Sequence, residues 1–215
     1  MNELLQRSIT GFILLVLVGY TFFCLPAIYF SALLVAALGY ILVVELPRLF
    51  NPREYAFWLI MPLYPVASFL AIISLNQSVV YRPLLVLLFI MVFCHDSGAY
   101  FVGKLMGKHK IAPAISPGKS WEGFIGGYLS SVAGTLLFLH NKPQLPWFFL
   151  VGFLLIVNAL AMGGDFFESY LKRRVGLKDS GALLPGHGGL LDRVDSILPT
   201  VLLFYLMRNY LIQFV

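Results

Sequence analysis

The chain is short of charge. Only 12% of its 215 residues are Asp, Glu, Lys or Arg, against roughly 25% in typical soluble proteins, while 60% are hydrophobic. That balance excludes a soluble globule. Cysteine is nearly absent. Cys24 and Cys94 both lie in apolar runs and read as small buried hydrophobes, which excludes a disulfide framework or a cysteine-ligated metal. Acids are outnumbered by bases, ten to fifteen, an excess that suits a membrane surface, an anionic substrate or nucleic acid. No internal repeat, low-complexity tract or soluble linker domain is visible. No A-x-A-type cleavage site follows the apolar run from Ser8 to Leu25, so that run is expected to be a retained span and not a signal peptide.

What is present is hydrophobic length. Crossing about 30 Å of hydrocarbon takes about 20 mainly apolar residues. Seven stretches approach that, near 8–25, 27–45, 57–75, 83–102, 123–139, 147–164 and 196–214. The expected fold is all-α, a polytopic membrane protein with about seven transmembrane helices. The first two should form a tight hairpin around Pro26, and Pro62 and Pro65 should kink the third. On this count, twelve Lys and Arg, among them Arg48, Lys119, Lys172 and Arg193, fall on one side of the membrane; only Arg82, Lys142 and Arg208 fall on the other. Cytoplasmic loops are the ones enriched in positive charge. The N-terminus is therefore expected in the cytoplasm, with membrane lipid and not nucleic acid as the basic side's partner. We divide the chain into scaffold helices over 1–82 and a catalytic membrane domain with cytoplasmic loops over 83–215.

Sixteen of the 25 formal charges fall within residues 96–122 and 165–195. The second of these segments carries five acids and five bases. Asp192 and Asp195, three apart, would share a helix face at the start of the last span. With Asp165 they could form an all-oxygen site of the kind Mg²⁺ prefers; pairing with Arg173, Arg174 or Lys178 is the alternative. Pro185, Gly186, His187, Gly188 and Gly189 carry little side-chain bulk, so their N–H groups could approach a phosphate, or the run could be a plain hinge. Lys172, Arg173 and Arg174 fit anionic headgroups.

In the first segment, Asp96 at the edge of a span is either a functional acid or a helix-end residue. Gly103 to Lys108 imitates a P-loop but is one residue short, lacks the following hydroxyl and follows a helix, so it is rejected. Ser116, Lys119 and Ser120 lie in a turn suited either to oxygen anions or to capping the next helix.

Taken together, these motifs resemble the membrane-embedded phosphatidate cytidylyltransferases, or CDP-diacylglycerol synthases. Ser169, Lys172, Arg173, Lys178, Asp179, Pro185, His187, Gly188, Gly189, Asp192, Arg193 and Asp195 match the family signature at its spacing. Upstream, Asp96, Ser97, Ala99 and Tyr100, then Ser116, Pro117, Lys119, Ser120, Glu122 and Gly123, match two further motifs. The N-terminal half matches weakly, with Glu45 near the place of a family glutamate, and is shorter than usual by one or two helices.

The resemblance implies cytidylyl transfer from CTP to phosphatidate, giving CDP-diacylglycerol and pyrophosphate. It assigns Asp165, Asp192 and Asp195 to Mg²⁺, with a second cation as a variant of that reading. Lys172, Arg173, Lys178, His187 and Arg193 would meet phosphates, and Ser116, Lys119, Ser120 and Asp96 would line the substrate site. A bacterial inner membrane, with the site facing the cytoplasm, is the expected location, and a homodimer is an open alternative to a single copy. Transfer to another lipid acceptor by CTP chemistry, or membrane transport, are the competing functions.

Overall fold

The computed structural model describes residues 3–140, 146–186 and 188–215; His187 and residues 141–145 lie outside the described residues. Seven helices are described: α1 (Glu3–Phe23), α2 (Ala27–Leu49), α3 (Tyr55–Gln77), α4 (Arg82–Met106), α5 (Trp121–Phe138), α6 (Trp147–Arg174) and α7 (Ile197–Phe214). They correspond to the seven stretches expected. Five, α2, α3, α4, α6 and α7, are long and apolar enough to cross a membrane; α1 adds a shorter apolar run over Ser8–Phe23. α5 falls outside that group, its core-facing side given over to Gly123, Gly126, Gly127, Ser131 and Thr135. The chain is an all-α polytopic membrane protein. Phe12, Leu15, Leu137, Phe148 and Leu206 stand exposed on the outer surface, which water would penalise and lipid does not.

The prolines do not break the second and third helices. Each passes through a π-helical turn, over Ile41–Glu45 in α2 and over Pro62–Val66 in α3. In α2, the Leu46 N–H reaches back five residues to the Ile41 carbonyl just before Pro47; in α3, the Ala67 N–H does the same to Pro62. The wider turn accommodates prolines that donate no N–H, and it falls at Pro62 and Pro65, where the kink is expected. The first turn also leaves Glu45 fully buried.

α4 and α5 pack closely because small residues line their contact. A Cβ at Gly126 would collide with Val102, and one at Gly127 would lie 2.6 Å from the His95 carbonyl oxygen. Small residues at helix contacts let membrane helices approach through backbone packing, and Ser131 donates across the gap to the Met91 carbonyl at 3.0 Å.

Two apolar cores support the bundle. One joins Leu84, Leu88 and Met91 of α4 to Leu154 and Val157 of α6 and to Val201 and Phe204 of α7. The other joins Ile41, Leu46 and Leu49 of α2 to Phe69 of α3, Leu171 of α6, and Leu191 and Leu198 near the α7 start. Residues from both sides of position 82 thus share one core. Ser68 ties α3 to α7 through the Leu198 carbonyl at 2.7 Å.

Between α4 and α5 the chain forms an antiparallel hairpin, β1 (Lys110–Ala112) and β2 (Ser116–Ser120), with Lys110 opposite Ser120. The turn expected at Ser116–Ser120 is therefore a strand. Its last residue caps α5: the Ser120 hydroxyl accepts the Gly123 N–H at 3.1 Å, and Glu122 holds the hairpin base through the His109 N–H at 3.1 Å. Gly103–Gly107 closes α4 as a helix end, as the rejection of a P-loop requires.

Candidate active site

The α4 end, the β1–β2 hairpin, the α6 end and the segment 175–196 meet at the same pole of the bundle. Two cavities open there. The larger, about 650 Å³, is lined by His95, Asp96, Tyr100, Lys104, Lys110, Ser116, Lys119, Ser120 and Phe124 among others. The smaller, about 380 Å³, is lined by Asp96, Asp165, Asp192, Arg193, Asp195 and Ser196 with Val92, Phe93 and Ile197. Asp96 borders both. The two motif segments, distant in sequence, thus line adjoining cavities.

Lys119 of β2 forms an ion pair with Asp165 of α6. Burial alone would lower the Lys119 ammonium, but the neighbouring Asp165 carboxylate outweighs it and raises the pKa above the ordinary lysine value. Asp165 also meets Asp195, whose carboxyl is within hydrogen-bonding reach. Burial, and then the charges of Asp165 and Glu168, push Asp195 well above the usual carboxylate range. Ser196 joins the group by donating to Asp165 at 2.7 Å.

Asp192 behaves differently. Its Oδ2 accepts the Gly189 N–H at 2.8 Å, the Ser180 N–H at 3.0 Å and lies 3.1 Å from the Ser180 hydroxyl. Its Oδ1 takes the Lys172 ammonium at 2.5 Å, and Lys172 also pairs with Glu168 at 2.7 Å. Against the upward push of burial, the contacts with Glu168, Lys172 and the Gly189 N–H hold Asp192 at about 2.

Asp192 and Asp195 therefore do not share a helix face. Leu191–Arg193 forms a single 3₁₀ turn and α7 begins only at Ile197, so Asp192 turns to the loop and Asp195 to Asp165. Glycines set that loop: Gly176, Gly186 and Gly188 all have positive φ, and Leu184 and Gly188 exchange backbone hydrogen bonds at 3.1 Å.

The other expected residues divide as follows. Ser116, Lys119, Ser120 and Asp96 line the larger cavity and Arg193 the smaller one. Lys172 is buried in its ion pairs and does not face headgroups. Arg173 is exposed and donates to the Leu177 carbonyl at 3.0 Å, closing the end of α6. Arg174 pairs with Glu54 at 3.5 Å, and Lys178 is exposed. His187 lies outside the described residues. Sequence reasoning missed Glu168, Ser180, Ser196 and His95. Glu168 sits four residues before Lys172, a spacing that places both on one helix face and could have revealed it.

The donor set suits a hard cation. Among the described residues no group of three His, Cys, Asp or Glu side chains forms a ready-made metal cage. Mg²⁺, however, is ordinarily held by one or two carboxylates with substrate phosphates and water completing its shell. Asp165 and Asp195, half-buried side by side, are two carboxylates of that kind; Asp192 lines the same cavity but is held by the loop N–H groups and Lys172.

Acids and lysines of a membrane helix bundle thus converge on two adjoining cavities at one pole. The sequence of residues 9–211 matches the cytidylyltransferase family, and the chain belongs to that family. Among curated relatives, the phosphatidate cytidylyltransferase of Haemophilus influenzae is 45% identical over 126 residues, 56% of this chain and 44% of the relative. That of Mycobacterium leprae is 45% identical over 128 residues, 58% and 40%, and that of Staphylococcus aureus strain COL is 48% identical over 111 residues, 51% and 43%. The chain spans less than half the length of these relatives in the matched region.

Proposed function

We propose that the chain transfers the cytidylyl group of CTP to phosphatidate, releasing pyrophosphate. The observation that carries this is the Lys119–Asp165–Asp195 cluster between the two cavities, set in a family of cytidylyltransferases. A phosphatidate oxygen attacks the α-phosphorus of CTP; a P–O bond forms there, and the bond to the β-phosphate oxygen breaks. Such a reaction asks for charge stabilisation and in-line positioning more than for acid–base work. The nucleophile is already ionised near neutral pH, so no residue needs to abstract its proton.

The larger cavity suits the nucleotide. Its volume lies in the usual range for small-molecule sites, Tyr100 and Phe124 supply aromatic rings for a pyrimidine, and Lys104, Lys110 and Lys119 oppose a triphosphate. The smaller cavity suits the lipid phosphate, with Arg193 to pair with it and Val92, Phe93 and Ile197 toward the acyl side. Asp165 and Asp195 would hold Mg²⁺, which when bound neutralises charge building on the transferred phosphoryl group. Lys119 holds Asp165 in place, and Lys172 with Ser180 keeps Asp192 and the glycine loop folded. We place this pole at the cytoplasmic face of a bacterial inner membrane, because twelve of the fifteen basic residues fall on its side.

The test uses purified protein in detergent. Pyrophosphate should appear from CTP only with phosphatidate and a divalent cation present together. Pyrophosphate without phosphatidate, or no CTP turnover with any lipid phosphate, would contradict the reading.

A further inference from the structure

Glu45 belongs to the scaffold half of the chain, yet its side chain ends inside the catalytic loop. It is fully buried. Oε1 accepts the Leu190 N–H at 2.7 Å, Oε2 accepts the Leu191 N–H at 2.8 Å, and the Ser180 hydroxyl lies 3.4 Å from Oε2. Among the described residues no cation pairs with it in a salt bridge. Its partners are thus loop donors, which an unpartnered burial would leave costly on both sides.

Two glycines show how closely the loop is fitted to this carboxylate. A Cβ on Gly181 would lie 2.5 Å from Glu45 Oε1, and one on Gly189 2.7 Å from the same atom. Neither glycine has a positive φ, so the backbone conformation does not require glycine there. The space does: Glu45 occupies it at Gly181, and at Gly189 the Ser180 hydroxyl stands nearer still, beside Glu45. The carboxylate reaches that point because the π turn of α2 ends on Glu45; such turns often sit at functional sites.

Ser180 carries the link onward. Its hydroxyl lies between Glu45 and Asp192, at 3.4 and 3.1 Å, and its N–H donates to Asp192. Gly189 donates to Asp192 as well. We infer that Glu45 is a positioning residue: from the second helix it clamps residues 180–191 so that Asp192 and Arg193 stand in the wall of the smaller cavity. The inference rests on the proposed cytidylyl transfer for its kinetic part only. Because none of the described residues within 175–196 lines the larger cavity, a loosened clamp should affect the two substrates unequally.

The experiment compares the wild type with Glu45→Gln, which keeps the shape but sets an NH₂ group against a backbone donor. Amide hydrogen exchange by mass spectrometry is measured on the full chain in detergent, beside steady-state kinetics. Exchange over residues 180–192 should rise about tenfold, the effect of losing one buried hydrogen bond, while the transmembrane segments keep their protection. The KM for phosphatidate should rise and kcat fall, with the KM for CTP unchanged. Gly181→Ala, which leaves Glu45 in place but pushes the loop from it, should give the same exchange pattern and serves if Glu45→Gln does not fold. Unchanged exchange in the loop overturns the clamp. Faster exchange with unaltered kinetics, or a KM for CTP that rises in parallel, overturns the positioning role. A wild type without CTP turnover defeats the proposed function instead, and the exchange data then decide the clamp alone.

Discussion

Lys119 on the β hairpin, which lines the larger cavity, and Asp165 on α6, which lines the smaller one, form an ion pair that joins the two charged segments of the chain. Lys119→Met should therefore remove a positive group from the triphosphate path and leave Asp165 beside Asp195 without a counter-charge. Activity is expected to fall about a hundredfold, the scale for one electrostatic group at a reacting phosphate, while insertion is retained. Lys119→Arg should recover part of the loss. Pyrophosphate release at saturating CTP checks both variants.

Asp195 offers a test in pH. Its folded pKa is raised above the unfolded value, so the stability it permits is fully present below the unfolded carboxylate pKa of about 3.9 and is lost as pH rises through the folded value. In chelator, Asp195→Asn should consequently have a higher Tm than the wild type at pH 8, and the difference should vanish as the pH approaches 4. Activity of the same variant should be abolished at every pH. A Tm gain that does not depend on pH would mean that ionisation of Asp195, against burial and then against Asp165, is not its source.

Asp192 is predicted to act through the loop. Asp192→Ala removes the acceptor of two backbone N–H groups and one partner of Lys172. Breaking one side of a buried pair costs about 3–5 kcal/mol when the other charge is left alone; Lys172 keeps Glu168, so a loss of about 2 kcal/mol is expected here. Thermal unfolding with limited proteolysis should place the new cleavage between Gly176 and Arg193.

Topology can be checked independently. Reporter fusions in the hairpin between Ala112 and Ser116 and after Val215 should report opposite sides of the membrane, because the count of seven spans sets three crossings, α5 included, between them. Both on one side would break the span count.

Much of this was readable from the chain. Helix positions followed from hydropathy, since lipid demands an apolar outer surface whatever the packing inside. The gathering of Asp96, Lys119, Asp165 and Asp195 followed from charge clustering and motif spacing. What stayed hidden depended on backbone detail. Spacing placed Asp192 and Asp195 on one helix face, but a 3₁₀ turn and a late α7 start separate them. Lys172 resembled a surface cation because its buried partners, Glu168 and Asp192, are identified only by the fold. Glu45 carried little signal in sequence, since its partners are backbone N–H groups far along the chain.

The most direct measurement follows the phosphorus atoms of CTP. Purified protein is given phosphatidate and Mg²⁺ with CTP labelled either at the α- or at the γ-phosphorus. Cytidylyl transfer predicts α-label in the lipid phase and γ-label in water as pyrophosphate, in equal amounts, with neither released by Asp165→Asn. Label from the γ position entering the lipid, with CDP left in water, would contradict the account.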